Sequence, residues 1–253
     1  MKLVQLGVTL PQFTDDRERF IDGARRAEAL GFDSVWVFDH LWPLSGSKER
    51  PILEAWTALG WLAGATERVS IGTLVTRSSL RNPAVLAHMA RTVAQIAPGR
   101  LILGIGSGDD KSRAENEAFG LPYWAGADRM AQFEETVAAL RRELDGSGVK
   151  LWIAGRSDDA IALAARHGEA WNGWEGDAES FARDAATLAG YAGERAVEPT
   201  WGGVLRPDDD AAARLAALVD AGARHLVCTY PEAWRSDRYE SLAREVAPAA
   251  GLR

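Results

Sequence analysis

Asp39 and His40 close an apolar run, Ser34-Val35-Trp36-Val37-Phe38, and set a carboxylate beside an imidazole at the end of a strand-like segment. An imidazole exchanges protons near neutral pH, its reference pKa being about 6.5. Such a pair serves proton transfer to or from a substrate held next to it. Three further clusters have the same placement. Ile71-Gly72-Thr73-Leu74-Val75-Thr76 leads into a polar turn, with hydroxyls at Thr73 and Thr76 that can meet the edge of a flat ring. Leu101-Ile102-Leu103-Gly104-Ile105-Gly106 dissolves into Ser107-Gly108-Asp109-Asp110, where glycine lets a ligand approach the backbone and Asp109 follows at once. Leu151-Trp152-Ile153-Ala154-Gly155-Arg156-Ser157 enters a helix through a turn whose free amides, with the Arg156 fork, suit a phosphate. Each cluster also has an ordinary reading: β-propensity for the threonines, crowding for the glycines, helix capping for Ser157 or Asp158.

The segments that carry these residues alternate between two periods. Apolar runs of strand length fall near 3–10, 34–38, 69–75, 101–106, 149–154, 169–172, 200–205 and 224–228. Ala-rich amphipathic stretches of helical length fall near 16–30, 54–66, 83–97, 128–144, 158–167, 178–190, 209–221 and 237–247. Alternation of this kind predicts a parallel sheet, and eight of each predicts a compact (β/α)8 TIM barrel with few insertions. An open doubly wound sheet needs a Gly-rich turn after the first strand, and Leu10-Pro11-Gln12-Phe13-Thr14 supplies none. In a barrel the four clusters share the carboxyl edge of the strands, where ligands bind.

One domain over 1–253 is the simplest reading of the 253 residues. A net charge of −7 argues against affinity for nucleic acid, whose phosphates need a basic footprint. No apolar run approaches the ~20 residues of a membrane span and no cleavage pattern follows the N-terminus, so a soluble, cytoplasmic protein is expected. Cys228 is the sole cysteine and is read as a buried small hydrophobe. No second histidine follows His40 at metal spacing, so no metal site is expected and a metal-dependent hydrolase fits poorly. His88, His167 and His225 are read as structural. Trp36, Trp152, Trp56 and Trp61 are read as packing, while Trp42, Trp124, Trp174 and Trp234 fall near edge loops and suit an apolar pocket or an interface.

Taken in order, Asp-His after the second strand, Gly-Thr-Leu-Val-Thr with Arg-Asn-Pro-Ala after the third, Gly-Arg-Leu-Ile-Leu-Gly-Ile-Gly-Ser-Gly at the fourth and Trp-Ile-Ala-Gly-Arg-Ser at the fifth resemble the bacterial luciferase-like family. Asp39-His40-Leu41 is similar to the branch that uses the deazaflavin coenzyme F420 rather than FMN. The resemblance implies an F420-dependent oxidoreductase moving a hydride to or from a small-molecule substrate, with a homodimer expected. It places Asp39 and His40 beside the cofactor ring, with His40 also an acid or base towards substrate. Thr73, Leu74, Val75 and Thr76 would back the ring, through a non-proline cis peptide near Leu74-Val75. Gly106, Ser107 and Gly108 would pass close to the cofactor. Ala154, Gly155, Arg156 and Ser157 would hold its phosphate, with Asn172 contributing. Asp109 stands where sugar-phosphate-oxidising relatives carry a glutamate acid, which leaves proton donation possible with a shorter reach. The loop after Trp42 also departs from those relatives. An FMN-dependent monooxygenase and a cofactor-binding protein without turnover are the alternatives.

Overall fold

The computed structural model describes residues 4–44, 47–206, 210–231 and 236–252; Trp234 lies outside them. Eight parallel strands close on themselves: β1 (Gln5–Thr9), β2 (Ser34–Val37), β3 (Ser70–Thr73, resuming at Thr76–Arg77), β4 (Leu101–Gly106), β5 (Lys150–Ala154), β6 (Ala170–Trp174), β7 (Glu198–Val204) and β8 (His225–Thr229). Their order is β3-β2-β1-β8-β7-β6-β5-β4, and β4 pairs back to β3 to complete the TIM barrel. Outer helices follow the strands: α1 (Arg17–Ala29), α2 (Ala55–Ala65), α3 (Pro83–Ile96), then a short α4 (Arg113–Ala118), α5 (Gly126–Glu143), α6 (Asp158–His167), α7 (Ala178–Ala192), α8 (Ala211–Asp220) and α9 (Ser236–Ser241), which runs on into a π-turn.

The helices start where polar side chains can satisfy first-turn amides. Asp16, Glu54, Asn82, Ser157, Asp177 and Asp210 each accept hydrogen bonds from the backbone two or three residues ahead. Pro83 follows Asn82 at the first helical position, where its missing N–H costs nothing. No described helix is long and apolar enough to cross a membrane.

Two apolar layers follow from the alternation of side chains along each strand. Outward positions such as Val35, Ile71, Leu103, Ile153, Leu226 and Cys228 pack against the helices. Inward positions fill the barrel: Trp36, Ile102, Trp152, Ala170 and Val227, capped towards the carboxyl end by Phe38 and Leu74. Below them a polar relay runs from Trp36 Nε1–H to Ser34 Oγ (2.7 Å), then to His225 Nε2 (2.6 Å), while His225 Nδ1 faces Gln5 Oε1 (3.1 Å). The carbonyl of Gln5 only accepts, so Nδ1 carries the hydrogen and Nε2 accepts from Ser34. Burial pushes the His225 imidazole down to about 3, and the ring is neutral. Cys228 is fully buried and its thiol is pushed up to about 12 by the same cause.

Three segments differ from the sequence expectation. The sixth strand runs on to Trp174, because Asn172, Gly173 and Trp174 all pair with β7. Trp174 therefore ends a strand instead of lying in a loop. The third strand, read as unbroken over 69–75, is interrupted at Leu74 and Val75; the peptide bond between these two residues is cis, as the resemblance implied. Residues 110–118 form a 3-10 turn running into α4, a segment whose charged, short pattern shows no helical period.

Candidate functional site

The carboxyl ends of β2, β3, β4, β5 and β6 stand in register, with Arg77 opposite Gly106, Gly106 opposite Ala154 and Ala154 opposite Asn172. This brings the four sequence clusters to one rim. Gly104 and Gly106 are required there by the path of β3. A Cβ on Gly104 would stand 2.1 Å from the Thr73 carbonyl oxygen, and one on Gly106 would stand 2.9 Å from Val75 Cγ2. Crowding by β3 therefore accounts for both glycines, and what passes Gly106 is the Val75 side chain. Gly108, at a φ of 76°, turns the chain out of β4.

The threonines face protein. Thr73 is fully buried and donates to the Gly104 carbonyl (2.8 Å), and Thr76 accepts from Trp56 Nε1 (3.1 Å). Asp39 is also fully buried, gripped by Arg81 at 2.5 and 3.1 Å, with Arg81 bound in turn to Glu54. Burial pushes the Asp39 carboxyl up, against the pull of Arg81 and a hydrogen bond from Thr76. The polar atoms of these three residues are used within the wall. Asp39 and His40 lie just beyond the end of β2, the first fully buried and the second partly exposed.

His40 is one of the rim groups that remain reachable, with 22% of its side chain exposed. Its Nδ1 lies 2.9 Å from Glu115 Oε2. Glu115, from α4, is almost fully buried, accepts the Leu41 amide and pairs with Arg77 at 3.1 Å. Burial opposes its charge, yet His40, the Leu41 amide and Arg77 together hold the Glu115 carboxyl below its usual range. An ionised carboxylate only accepts, so Nδ1 carries the hydrogen and Nε2 is left as the basic nitrogen. Arg77 is held further by Asn116 (2.8 Å). Asp109 takes no part in this dyad: it is exposed and caps the 3-10 turn through Ser112. The sequence reading missed Glu115, and the spacing of 75 residues from His40 left no local signal for it.

At β5, Ala154 and Gly155 end the strand and Ser157 caps α6. Gly155 N–H donates to the Asn172 carbonyl, and the Asn172 side chain is buried on Thr200. Arg156 is already bound to Asp184 (2.7 Å) and to the Glu175 carbonyl (3.3 Å). The α6 N-terminus thus offers first-turn amides beside a neutralised arginine. Ser107 is half-buried, its hydroxyl on the Gly108 carbonyl. Apolar surface at the rim comes from Phe38, Leu74, Val75 and Trp174, the last edge-on to Phe38 at 6.1 Å, with Phe13 stacked on its other side at 6.1 Å.

Residues 3–249 match the profile of the luciferase-like monooxygenase family. The chain belongs to that family. A protein described as F420-dependent glucose-6-phosphate dehydrogenase, from Intrasporangium calvum, is 40% identical over 126 residues, which cover 48% of this chain and 36% of that one. A phthiodiolone/phenolphthiodiolone dimycocerosates ketoreductase from Mycobacterium sp. (strain JLS) is 37% identical over 145 residues, covering 49% of this chain and 37% of that one. The chain thus spans under half the length of these curated relatives. Among solved structures, an F420-dependent secondary alcohol dehydrogenase in complex with an F420-acetone adduct superposes with a TM-score of 0.79 at 21% identity, covering 99% of both chains. This likeness establishes the shared barrel fold.

Proposed function

We propose that this protein is an F420-dependent oxidoreductase that transfers a hydride between coenzyme F420 and a small organic substrate. The observation that carries the reading is His40, held by a buried, charged Glu115 at the mouth of a luciferase-like barrel. Curated relatives named for F420 support the cofactor. The residues present fit such a group. Phe38, Leu74, Val75 and Trp174 offer apolar surface to a flat ring, and the amides of Arg156 and Ser157 suit a phosphate at the start of α6. When bound, the deazaflavin supplies a two-electron hydride acceptor or donor.

The chain's own part is the proton. During oxidation of an alcohol, the substrate carbon loses a hydride while His40 Nε2 takes the hydroxyl proton. In the reverse direction the imidazolium gives that proton to the carbonyl oxygen. Glu115 keeps the ring in the tautomer this requires and stabilises the cation when it forms. The Asp39–Arg81–Glu54 set, anchored on the buried Asp39 carboxyl, fixes the chain just after β2 that carries His40.

Titration with oxidised F420, and separately with FMN, followed by cofactor fluorescence, tests the reading. Tight F420 binding that survives His40→Ala, with turnover reduced by about 10²–10⁴, is the expected result. Preference for FMN with oxygen uptake moves the protein to monooxygenase chemistry, and binding of neither sinks the cofactor assignment.

A further inference from the structure

Thr9 and Thr229 end β1 and β8 at the carboxyl edge, and both are buried, at 1% and 8% exposure. Their positions on the strands turn both side chains into the barrel. Gly7, two residues before Thr9, faces Ser34 and Trp36 of the interior, and Val227, two residues before Thr229, belongs to the inner apolar layer. Val8 pairs with Cys228, so Thr9 and Thr229 are the next neighbours along the same ladder, with strands about 5 Å apart.

Among the described residues neither Oγ1 has a hydrogen-bond partner, and the two are not bonded to each other. The contrast within the barrel is sharp. Ser34, Thr73, Thr76 and Thr200 are equally buried, and each has its hydroxyl paired with protein. Among the described residues, it is at the mouth layer that two adjacent threonines keep unpaired hydroxyls in an apolar setting, a placement that costs stability unless a ligand uses it. The inner apolar layer on this side includes Phe38, Leu74 and Val227, with Trp174 and Leu74 packed over Gly202 of β7. None of these neighbours carries a positive charge, which an anionic group such as a phosphate would need.

Resting on the F420-linked reading, we infer that Thr9 and Thr229 form a two-hydroxyl seat for the single oxygen of an uncharged ketone or secondary alcohol. Hydroxyls carried by neighbouring strands about 5 Å apart can each reach one oxygen placed between them at ordinary O–H···O distance. A ketone oxygen accepts from both. An alcohol oxygen also accepts from both through its two lone pairs and keeps its own O–H for His40 Nε2, so the same seat serves either direction of hydride flow. The apolar neighbours take the alkyl groups.

The test uses the isosteric variants Thr9→Val and Thr229→Val, singly and together, with Thr229→Ser as rescue. Propan-2-ol, cyclohexanol and cyclohexanone are the probes, with glucose 6-phosphate as the anionic comparison. Cyclohexanone binding is read by thermal shift without cofactor, F420 affinity by fluorescence, and KM and kcat by F420 absorbance. In the double variant we expect a melting temperature at or above that of the wild type and unchanged F420 affinity. Each single valine variant raises KM for the neutral probes by about tenfold, as for loss of one good hydrogen bond, the double variant raises it further, and Thr229→Ser keeps the wild-type value. A lowered melting temperature marks the hydroxyls as structural and overturns the seat. So does an unchanged KM, a preference for glucose 6-phosphate, or a wild type that binds F420 and ignores every neutral probe. Failure to bind F420 removes the cofactor reading alone, since cyclohexanone binding still decides the seat.

Discussion

Lowering the pH from 7 to 5 is expected to destabilise the protein through His225, and His225→Gln isolates the effect. In the fold the imidazole is pushed down to about 3, against an ordinary value of 6.5. Between those values the unfolded chain binds a proton that the folded chain refuses, so stability falls as pH falls from 6.5 towards 3. At pH 5 the unfolded imidazole is almost wholly charged and the folded one almost wholly neutral. The linkage then amounts to about 2 kcal/mol, from 1.5 pH units at about 1.4 kcal/mol each. Because pH 5 stands well above the folded value, this figure depends almost entirely on the unfolded pKa. It corresponds to roughly 4–8 °C in melting temperature for a chain of this size. Physically, a proton on Nε2 would face the Ser34 hydroxyl, which already accepts from Trp36 and must donate to the ring. Urea unfolding of wild type and His225→Gln at both pH values gives the comparison. The variant starts less stable, having lost the ring edge-on to Trp36 and Trp152, and its stability changes less between pH 7 and 5. Equal pH slopes in the two proteins would refute the neutral, buried imidazole.

Gly104→Ala is expected to cost at least about 1–3 kcal/mol by urea titration, since its Cβ meets the Thr73 carbonyl at 2.1 Å, while Gly60→Ala in α2, with open space around it, is neutral or mildly stabilising. Arg81→Ala leaves the buried Asp39 carboxylate without its bidentate partner, and a loss of about 3–5 kcal/mol is expected at pH 7. Glu115→Gln is expected to keep F420 affinity and to lower kcat by about 10–100-fold, by analogy with carboxylates that orient metal-bound histidines. Its pH signature is distinct: the carboxyl is held below its usual range, so its contribution to stability is present above about pH 4.5 and lost as pH falls through the lower folded value. The Gln variant lacks that acid-side loss in an unfolding series from pH 6 to 3.

Much of the barrel was legible because its signals are local. Strand and helix periods repeat along the chain, and caps such as Asp16, Asn82 and Ser157 mark helix starts by residue type. Family membership was legible too, because the four clusters keep their order along the chain. His40 follows from its place at a strand end. What no local pattern could decide is which polar atoms the fold consumes. Thr73, Thr76 and Asp39 look like rim ligands in sequence, yet packing against β4, α2 and Arg81 turns their polar atoms into the wall. Glu115 looks like one more acid on a charged segment, yet α4 carries it to His40. Thr9 and Thr229 lie 220 residues apart and become neighbours only when β8 closes on β1. Closure of the sheet is a long-range event: element type and the direction of each side chain follow from periodicity, whereas partner identity follows from register between distant strands.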